Sequence, residues 1–237
     1  MHMKKILITL SLTLAMAFSA QAQFINFGVR GGLGFATHID DLARNSPVLA
    51  ANLGGFVTYG FTQSQSLLAE HLTLQTGVNL LHRGSNNREV LEMAMSIREA
   101  QYSAWYAQVP ILVSLSYELP IRQPGHNVFM SLGPAVNVGL FGTLNDTKIT
   151  RGLPQPEWNY RKTQPVFDVI KRIDASFLLG FGYEHQDLSV MLQMDLGCMS
   201  IAEVPDALAL NEGINKKVPL GNNFALLLTV GYQFPIR

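Results

Sequence analysis

The feature that most constrains this chain is an alternation of apolar and polar side chains with a period of two residues. It is clearest in the stretch NVFMSLGPAVNVGLFG, residues 127–142, where every even-numbered position from Val128 to Leu140 is apolar. Most of the odd-numbered positions are small or polar. Because successive side chains of a β-strand point to opposite faces, this period predicts a strand with two unlike faces.

Eight segments share this period, and in each of them one face is far more apolar than the other. The predicted strands span residues 24–38, 49–61, 71–82, 103–117, 127–142, 173–184, 188–197 and 223–234. Three large side chains, Phe129, Met191 and Leu227, are exceptions that fall on the polar face. No segment after the N-terminus reaches the roughly 18 to 20 consecutive apolar residues of a transmembrane helix. The apolar residues of the chain are therefore expected in strands.

The connections between these strands alternate in length. Short links follow the second, fourth and sixth strands, and longer stretches lie at 39–47, 83–101, 143–171 and 199–221. Short turns at one end and long loops at the other are typical of bacterial outer-membrane barrels, whose short turns face the periplasm. The pattern predicts an all-β, eight-stranded antiparallel up-and-down barrel with both termini at the short-turn end.

Composition favours a membrane barrel over a soluble one. A soluble barrel carries charged residues on its outer face, but only 14% of this chain is charged and 48% is hydrophobic. The less apolar face of the predicted strands is rich in Gly, Ser, Asn and Gln, which suits a packed polar lumen. We therefore expect a transmembrane β-barrel in the cell outer membrane, in contact with outer-membrane lipid.

The first 22 residues have the three-part plan of a secretory signal. Lys4 and Lys5 precede an apolar run over residues 6–18, and Ala20-Gln21-Ala22 fits an A-x-A cleavage site. We predict a signal peptide at 1–22 and a barrel domain at 23–237. Removing two lysines from 17 basic and 17 acidic residues leaves a formal charge of about −2, so nucleic acid is not expected as a partner.

Aromatic residues with outward parity cluster at the short-turn ends of the predicted strands. They are Tyr59, Phe61, Tyr117, Tyr183, Tyr232 and Phe234. Aromatic girdles of this kind lie at membrane interfaces, and we predict one here. The simpler alternative is the ordinary preference of aromatic residues for strands.

Inward parity places a few charged and amide side chains in the lumen. They are Arg30, Glu184, Asp195 and Gln193. A buried charge must be paired or hydrogen-bonded, and eight strands enclose space only for side chains. These residues are predicted to form a polar network that plugs the lumen, and the alternative is a path for protons or ions.

Three segments carry a resemblance to a known family. FGVRGGLGFA, YAQVPILVSLSYEL and LLLTVGYQF resemble the PorT-like outer-membrane β-barrel proteins of Gram-negative bacteria. The resemblance implies an eight-stranded barrel in the outer membrane and an association with protein secretion, from which the family takes its name. It implies no catalytic residues.

No catalytic, metal or cofactor site is predicted. His38, His71 and His82 lie in separate segments without metal-ligand spacing, and nothing in the sequence sets a Ser, a His and an acidic residue at one depth. The leading hypothesis is a non-enzymatic outer-membrane barrel with a structural or interaction role, as an accessory to secretion. An outer-membrane lipid-modifying enzyme and a soluble periplasmic ligand-binding barrel stay open as alternatives.

Two long connections are candidates for partner contacts. The proline-containing stretch 143–171 is expected to resist regular structure and to expose Trp158 and Tyr160 to a partner protein, such as a component of the secretion machinery, or to a surface glycan. The stretch 83–101 fits either a helix or an extended hairpin, and the hairpin is slightly favoured. The barrel is expected to be a monomer.

Overall fold

The computed structural model describes residues 22–39, 44–61, 72–91, 96–120, 125–150, 160–203 and 219–234. The described residues form ten strands and a short 3-10 turn over Val166–Asp168. The strands are β1 (Ala22–Ile39), β2 (Arg44–Ser46), β3 (Val48–Phe61), β4 (Leu72–Leu91), β5 (Ser96–Glu118), β6 (His126–Thr150), β7 (Tyr160–Pro165), β8 (Ile173–His185), β9 (Leu188–Glu203) and β10 (Pro219–Phe234). No helix within these ranges is long and apolar enough to cross a membrane.

Eight of the strands close into an antiparallel barrel. Their order is β4-β3-β1-β10-β9-β8-β6-β5, and pairing of β4 with β5 completes the ring. The first and last strands pair along a seam that runs from Phe27 opposite Phe234 to Ile39 opposite Asn222. The predicted eight-stranded antiparallel barrel is confirmed.

The two faces of the strands are those that the alternation predicts. In β6, Val128 and Val136 are exposed on the outside, whereas Ser131 and Asn137 are buried inside. Met191 and Leu227, two of the exceptions to the pattern, are also buried. The barrel therefore has an apolar outer face and a polar lumen that contains a few large apolar side chains.

At one end of the barrel, three strands run further than predicted. We call this the loop end, and the opposite end, where Gln186 and Asp187 alone connect β8 to β9, the short-turn end. Pairing of β4 with β5 continues to Leu91 opposite Ser96, and pairing of β5 with β6 begins at Ser96 opposite Thr150. Residues 83–91 and 96–101 are thus the paired strands of an extended hairpin and not a helix.

Two short strands widen this projection. β2 pairs with β4 and β7 pairs with β6, which gives an extended sheet of order β2-β4-β5-β6-β7 at the loop end. The expectation that 143–171 resists regular structure is wrong for 143–150 and 160–168, because backbone pairing organises them into β6, β7 and the 3-10 turn. Residues 151–159, with Trp158, lie outside the described ranges.

One irregularity reverses the faces of β6. The pairing of β5 and β6 shifts between two neighbouring pairs, Trp105 opposite Phe141 and Tyr106 opposite Gly139. The extra residue in β6 inverts the alternation, as a β-bulge does. Phe141 consequently lies on the outer face, although the odd-numbered residues before it face the lumen.

Candidate functional site

The loop-end half of the lumen is built around Arg83, a fully buried side chain of β4. Its Nη2 donates a hydrogen bond of 2.5 Å to Oδ2 of Asp174 in β8, and its Nη1 lies 3.9 Å from Oδ1 of Asp195 in β9. The guanidinium carbon lies 4.2 Å from the centre of the Tyr106 ring. One cation therefore joins two carboxylates from strands on the other side of the lumen.

Neutral amides donate further hydrogen bonds to one oxygen of each carboxylate. Gln108 Nε2 donates to Asp195 Oδ2 at 2.7 Å and to Asn137 Oδ1 at 3.0 Å. Asn223 Nδ2 donates to Asp174 Oδ2 at 2.9 Å. Buried charges persist only when they are paired and hydrogen-bonded in this way. We call these residues the Arg83 network: Arg83, Asp174, Asp195, Gln108, Asn137 and Asn223.

The 3-10 turn covers the Arg83 network from the loop end. Val166 is fully buried, and the Phe167 ring packs edge-on against Tyr106 with 5.6 Å between the ring centres. Gly139 makes this packing possible, because a Cβ atom at that position would overlap the Phe167 ring. The network and the turn together obstruct this half of the lumen.

The short-turn half of the lumen contains a cavity of about 230 Å³. We call it the Arg30 cavity, because Arg30 and Glu184 are the two charged residues of its wall within the described part of the chain. The remaining wall is mostly hydroxyl and amide side chains, among them Asn26, Thr58, Gln75, Ser114, Asn127, Ser131, Thr229 and Gln233. The lumen is thus filled at one end and hollow at the other.

The structure divides the residues that the sequence assigned to one polar network. Asp195 belongs to the Arg83 network, whereas Arg30 and Glu184 line the Arg30 cavity. Gln193 is buried, and its amide atoms form no hydrogen bond within the described residues. Inward parity identified side chains that face the lumen, but not their partners.

Sequence reasoning missed Arg83 and Asp174, which form the closer of the two ion pairs among the described residues. The sequence places Arg83 in a long connection, because the apolar alternation of the third predicted strand stops at His82. The available signal was parity, since Arg83 continues the inward series of Asn79 and Leu81. Asp174 occupies the first inward position of a predicted strand, and only the closed barrel places it against Arg83.

The aromatic residues of the predicted girdle lie at the short-turn end. Those with exposed side chains on the outer face are Tyr117, Tyr183, Tyr232 and Phe234, and Tyr59 is partly buried. Phe61 is the last residue of β3, and its side chain is not among those that the structure describes. The rings of Tyr232 and Phe234 pack edge-on with 5.0 Å between their centres. Their role as an interfacial girdle stays a prediction.

A second polar cluster lies on the outer face, towards the loop end. His82 Nε2 and Ser103 Oγ are 2.8 Å apart, and the His82 ring lies 4.9 Å from the Trp105 ring. On β4, the exposed apolar residues Val78 and Leu80 precede His82, so the cluster marks the point where the apolar band of this strand ends. A hydroxyl that is hydrogen-bonded to an imidazole is the arrangement of a nucleophile with its general base.

The two aromatic residues proposed for partner contacts are placed only in part. Tyr160 begins β7 opposite Lys148, and its side chain lies outside the description. Trp158 precedes the described segment. Their contact with a partner therefore stays a prediction.

Comparison with solved structures finds distant likenesses. The N-terminal β-barrel domain of Pseudomonas aeruginosa OprF is 12% identical over 90% of this chain and 100% of that chain, with a TM-score of 0.35. Neisserial surface protein A, NspA, is 9% identical over 89% and 97%, with a TM-score of 0.37. Ail of Yersinia pestis, in complex with the heparin analogue sucrose octasulfate, is 9% identical over 90% and 100%, with a TM-score of 0.35.

A search of curated protein sequences found no match. The family model of the outer membrane protein β-barrel domain, in contrast, matches residues 19–202. This match covers most of the chain, and the structure adds a closed antiparallel barrel with an apolar outer face. The chain belongs to the outer membrane protein β-barrel domain family and is a protein of the outer membrane.

Proposed function

We propose that the protein is a non-enzymatic outer-membrane barrel with a closed lumen and a structural or interaction role at the cell envelope. The observation that carries this proposal is the Arg83 network, in which side chains of β4, β5, β6, β8, β9 and β10 meet inside the barrel. An eight-stranded barrel has room for little more than its own side chains. The soluble periplasmic barrel considered from the sequence is wrong, because the chain is an outer-membrane protein.

The extended sheet supplies the surface for interaction in this proposal. Its exposed side chains include Glu99 and Gln101 on β5 and Arg161, Lys162 and Thr163 on β7. A mixed polar surface of this kind suits an envelope protein or a surface glycan, with Trp158 and Tyr160 as further contacts. The three sequence segments that resemble PorT-like proteins support a place in that group and an accessory role in secretion.

Conductance in planar lipid bilayers tests the closed lumen. The purified, heat-modifiable monomer should give no steady wide conductance, because the Arg83 network occupies the lumen. Steady and reproducible wide channels from a verified monomer would contradict the proposal.

Site-specific cross-linking in cells tests the interaction surface. A photoreactive residue at Gln101, in the extended sheet, should give a discrete protein adduct or a glycan adduct. The same photoreactive residue at Val113, which is exposed in the apolar band of the same strand, should give lipid adducts only.

Secretion by a strain that lacks the protein tests the accessory role. This strain should secrete less of its exported proteins, and normal secretion would contradict a role of the barrel in secretion.

One observation favours a second candidate function, a lipid-modifying enzyme. Ser103 Oγ could attack the ester carbonyl of a lipid acyl chain while His82 accepts its proton and passes it to the leaving alkoxide, and water would then hydrolyse the acyl-serine. Purified barrel should in that case release fatty acid from outer-membrane lipid, and Ser103→Ala should abolish the release. Ser114→Ala, at a lumen-facing serine of the same strand, is the control. Unchanged lipid acylation with the wild-type barrel would exclude this enzyme.

A further inference from the structure

Arg30 is a buried cation whose hydrogen bonding is incomplete. Its side chain is 5% exposed in the wall of the Arg30 cavity, and Nη1 donates to Gln75 Oε1 at 3.1 Å. The guanidinium carbon lies 4.9 Å from the centre of the Phe56 ring. Nε and Nη2 have no hydrogen-bond partner within the described residues. Buried donors left in this state are costly, so a group from outside the barrel wall would stabilise them.

The free donors of Arg30 have the geometry of a carboxylate site. Nε and Nη2 point from the same edge of the guanidinium, and two parallel N–H donors match the two oxygens of a carboxylate. Both nitrogen atoms are buried, and Arg30 lines the Arg30 cavity. Binding of a carboxylate at this edge requires a rotation of the guanidinium that turns Nε and Nη2 towards the cavity.

Glu184 adds the opposite charge to the wall of the same cavity. Arg30 is opposite Gly231, Gly231 is opposite Ser189, and Ser189 is opposite Glu184. Three steps between neighbouring strands, about 4.8 Å each, separate the two residues by roughly 14 Å of wall. Both side chains line the cavity, and neither forms an ion pair within the described part of the chain.

We propose that the Arg30 cavity binds a small zwitterion, such as a free α-amino acid, with its carboxylate on Arg30 and its ammonium group on Glu184. The hydroxyl and amide side chains of the wall can hydrogen-bond a polar ligand of this size. The Arg83 network obstructs the lumen beyond the cavity. The site therefore binds its ligand at the short-turn end and does not conduct it through the barrel.

Equilibrium dialysis with detergent-solubilised barrel tests the proposal. The probes are L-serine, 3-hydroxypropanoate, which lacks the ammonium group, and ethanolamine, which lacks the carboxylate. L-serine should bind at least about tenfold more tightly than either analogue, because only L-serine engages both charges. Arg30→Gln and Glu184→Gln should each weaken L-serine binding by about tenfold or more. Val29→Ala, on the adjacent outward-facing residue, should leave binding unchanged.

The Glu184 variant keeps the test decisive should Arg30→Gln fail to give a heat-modifiable barrel. Glu184 is only half-buried, and Glu184→Gln should abolish the preference for L-serine over 3-hydroxypropanoate. Absence of L-serine binding, equal binding of 3-hydroxypropanoate to the wild-type barrel, or an unchanged preference in Glu184→Gln would each overturn the proposal. The measurement does not depend on conductance, so it can fail while the closed lumen holds.

Discussion

At the scale of single residues, Arg30 and Arg83, the two buried arginines of the described ranges, are held in different ways. Arg83 lies between two aspartates, whereas Arg30 has only an amide oxygen and an aromatic face. The sequence predicted that Arg30 and Asp195 face the lumen, because parity within a strand is a local property. It could not predict which charges meet, because Arg83 and Asp174 lie 91 positions apart and come together only when the barrel closes.

Removing one member of the closest ion pair should destabilise the barrel. Asp174→Ala leaves Arg83 with Asp195 alone, at 3.9 Å, and should lower the free energy of unfolding by about 3 kcal/mol, as for other broken buried pairs. Urea unfolding in lipid vesicles, followed by tryptophan fluorescence, measures the loss. The control is Asp187→Ala in the turn between β8 and β9. Similar losses for the two variants would argue against a special role for the network.

Arginine on the outer face should cost more near the middle of the apolar band than at its edge. Val136→Arg should destabilise by about 2 to 4 kcal/mol, because the charge lies deep in the hydrocarbon. Val128→Arg, on the same face of β6 but near the short-turn end, should cost about 0 to 1 kcal/mol. Both valines are exposed on the outer face, so the comparison isolates depth. Equal losses in the free energy of unfolding, measured in lipid vesicles, would mean that the apolar band is not centred near Val136.

At the scale of whole strands, the sequence signal ends where the lipid-facing surface ends. Alternation is visible only while one face is apolar, and beyond residues 82 and 142 the strands carry polar residues on both faces. β4 and β6 nevertheless continue to Leu91 and Thr150, because backbone hydrogen bonds to β5 do not require apolar side chains. The sequence therefore favours the hairpin over 83–101 only slightly over a helix, and it does not predict β7.

The two ends of the barrel should lie on opposite sides of the outer membrane. A protease-cleavable tag inserted within 151–159, between β6 and β7, should be cut on intact cells. A tag within 121–124, between β5 and β6, should be protected until the outer membrane is permeabilised. Protease treatment followed by immunoblotting distinguishes them, and the reverse pattern would invert the orientation.

At the scale of the molecule, the fold class followed from the sequence, but the two-part lumen did not. Eight alternating segments and a low content of charge were sufficient for an outer-membrane barrel. The hollow half depends on where small side chains such as Ser114 and Ser131 accumulate at one depth, and it needs the register of all eight strands. Register between strands distant in sequence is the part of this structure that pattern alone does not contain.

A designed disulfide should test the pairing of β1 with β10, which closes the barrel. Leu33 is opposite Leu228, so cysteines at both positions, in a Cys198→Ser background, should cross-link β1 to β10 under oxidising conditions. The oxidised barrel should then migrate as a compact species on gels even after heating. Cysteines at Leu33 and Phe234 are the control, because Phe234 is opposite Phe27, six residues from Leu33. Efficient cross-linking of the control pair alone would rule out this register.

The seam between β1 and β10 also sets a condition on biogenesis. β1 is synthesised first, but one of its two neighbours, β10, is synthesised last. While the rest of the chain is synthesised and exported, this edge of β1 must therefore stay unpaired or pair temporarily with another protein. Contacts this distant in sequence form slowly. An interrupted chain would lack its final strand and present two open edges, and assembly factors and proteases could recognise that difference between a finished barrel and an incomplete one.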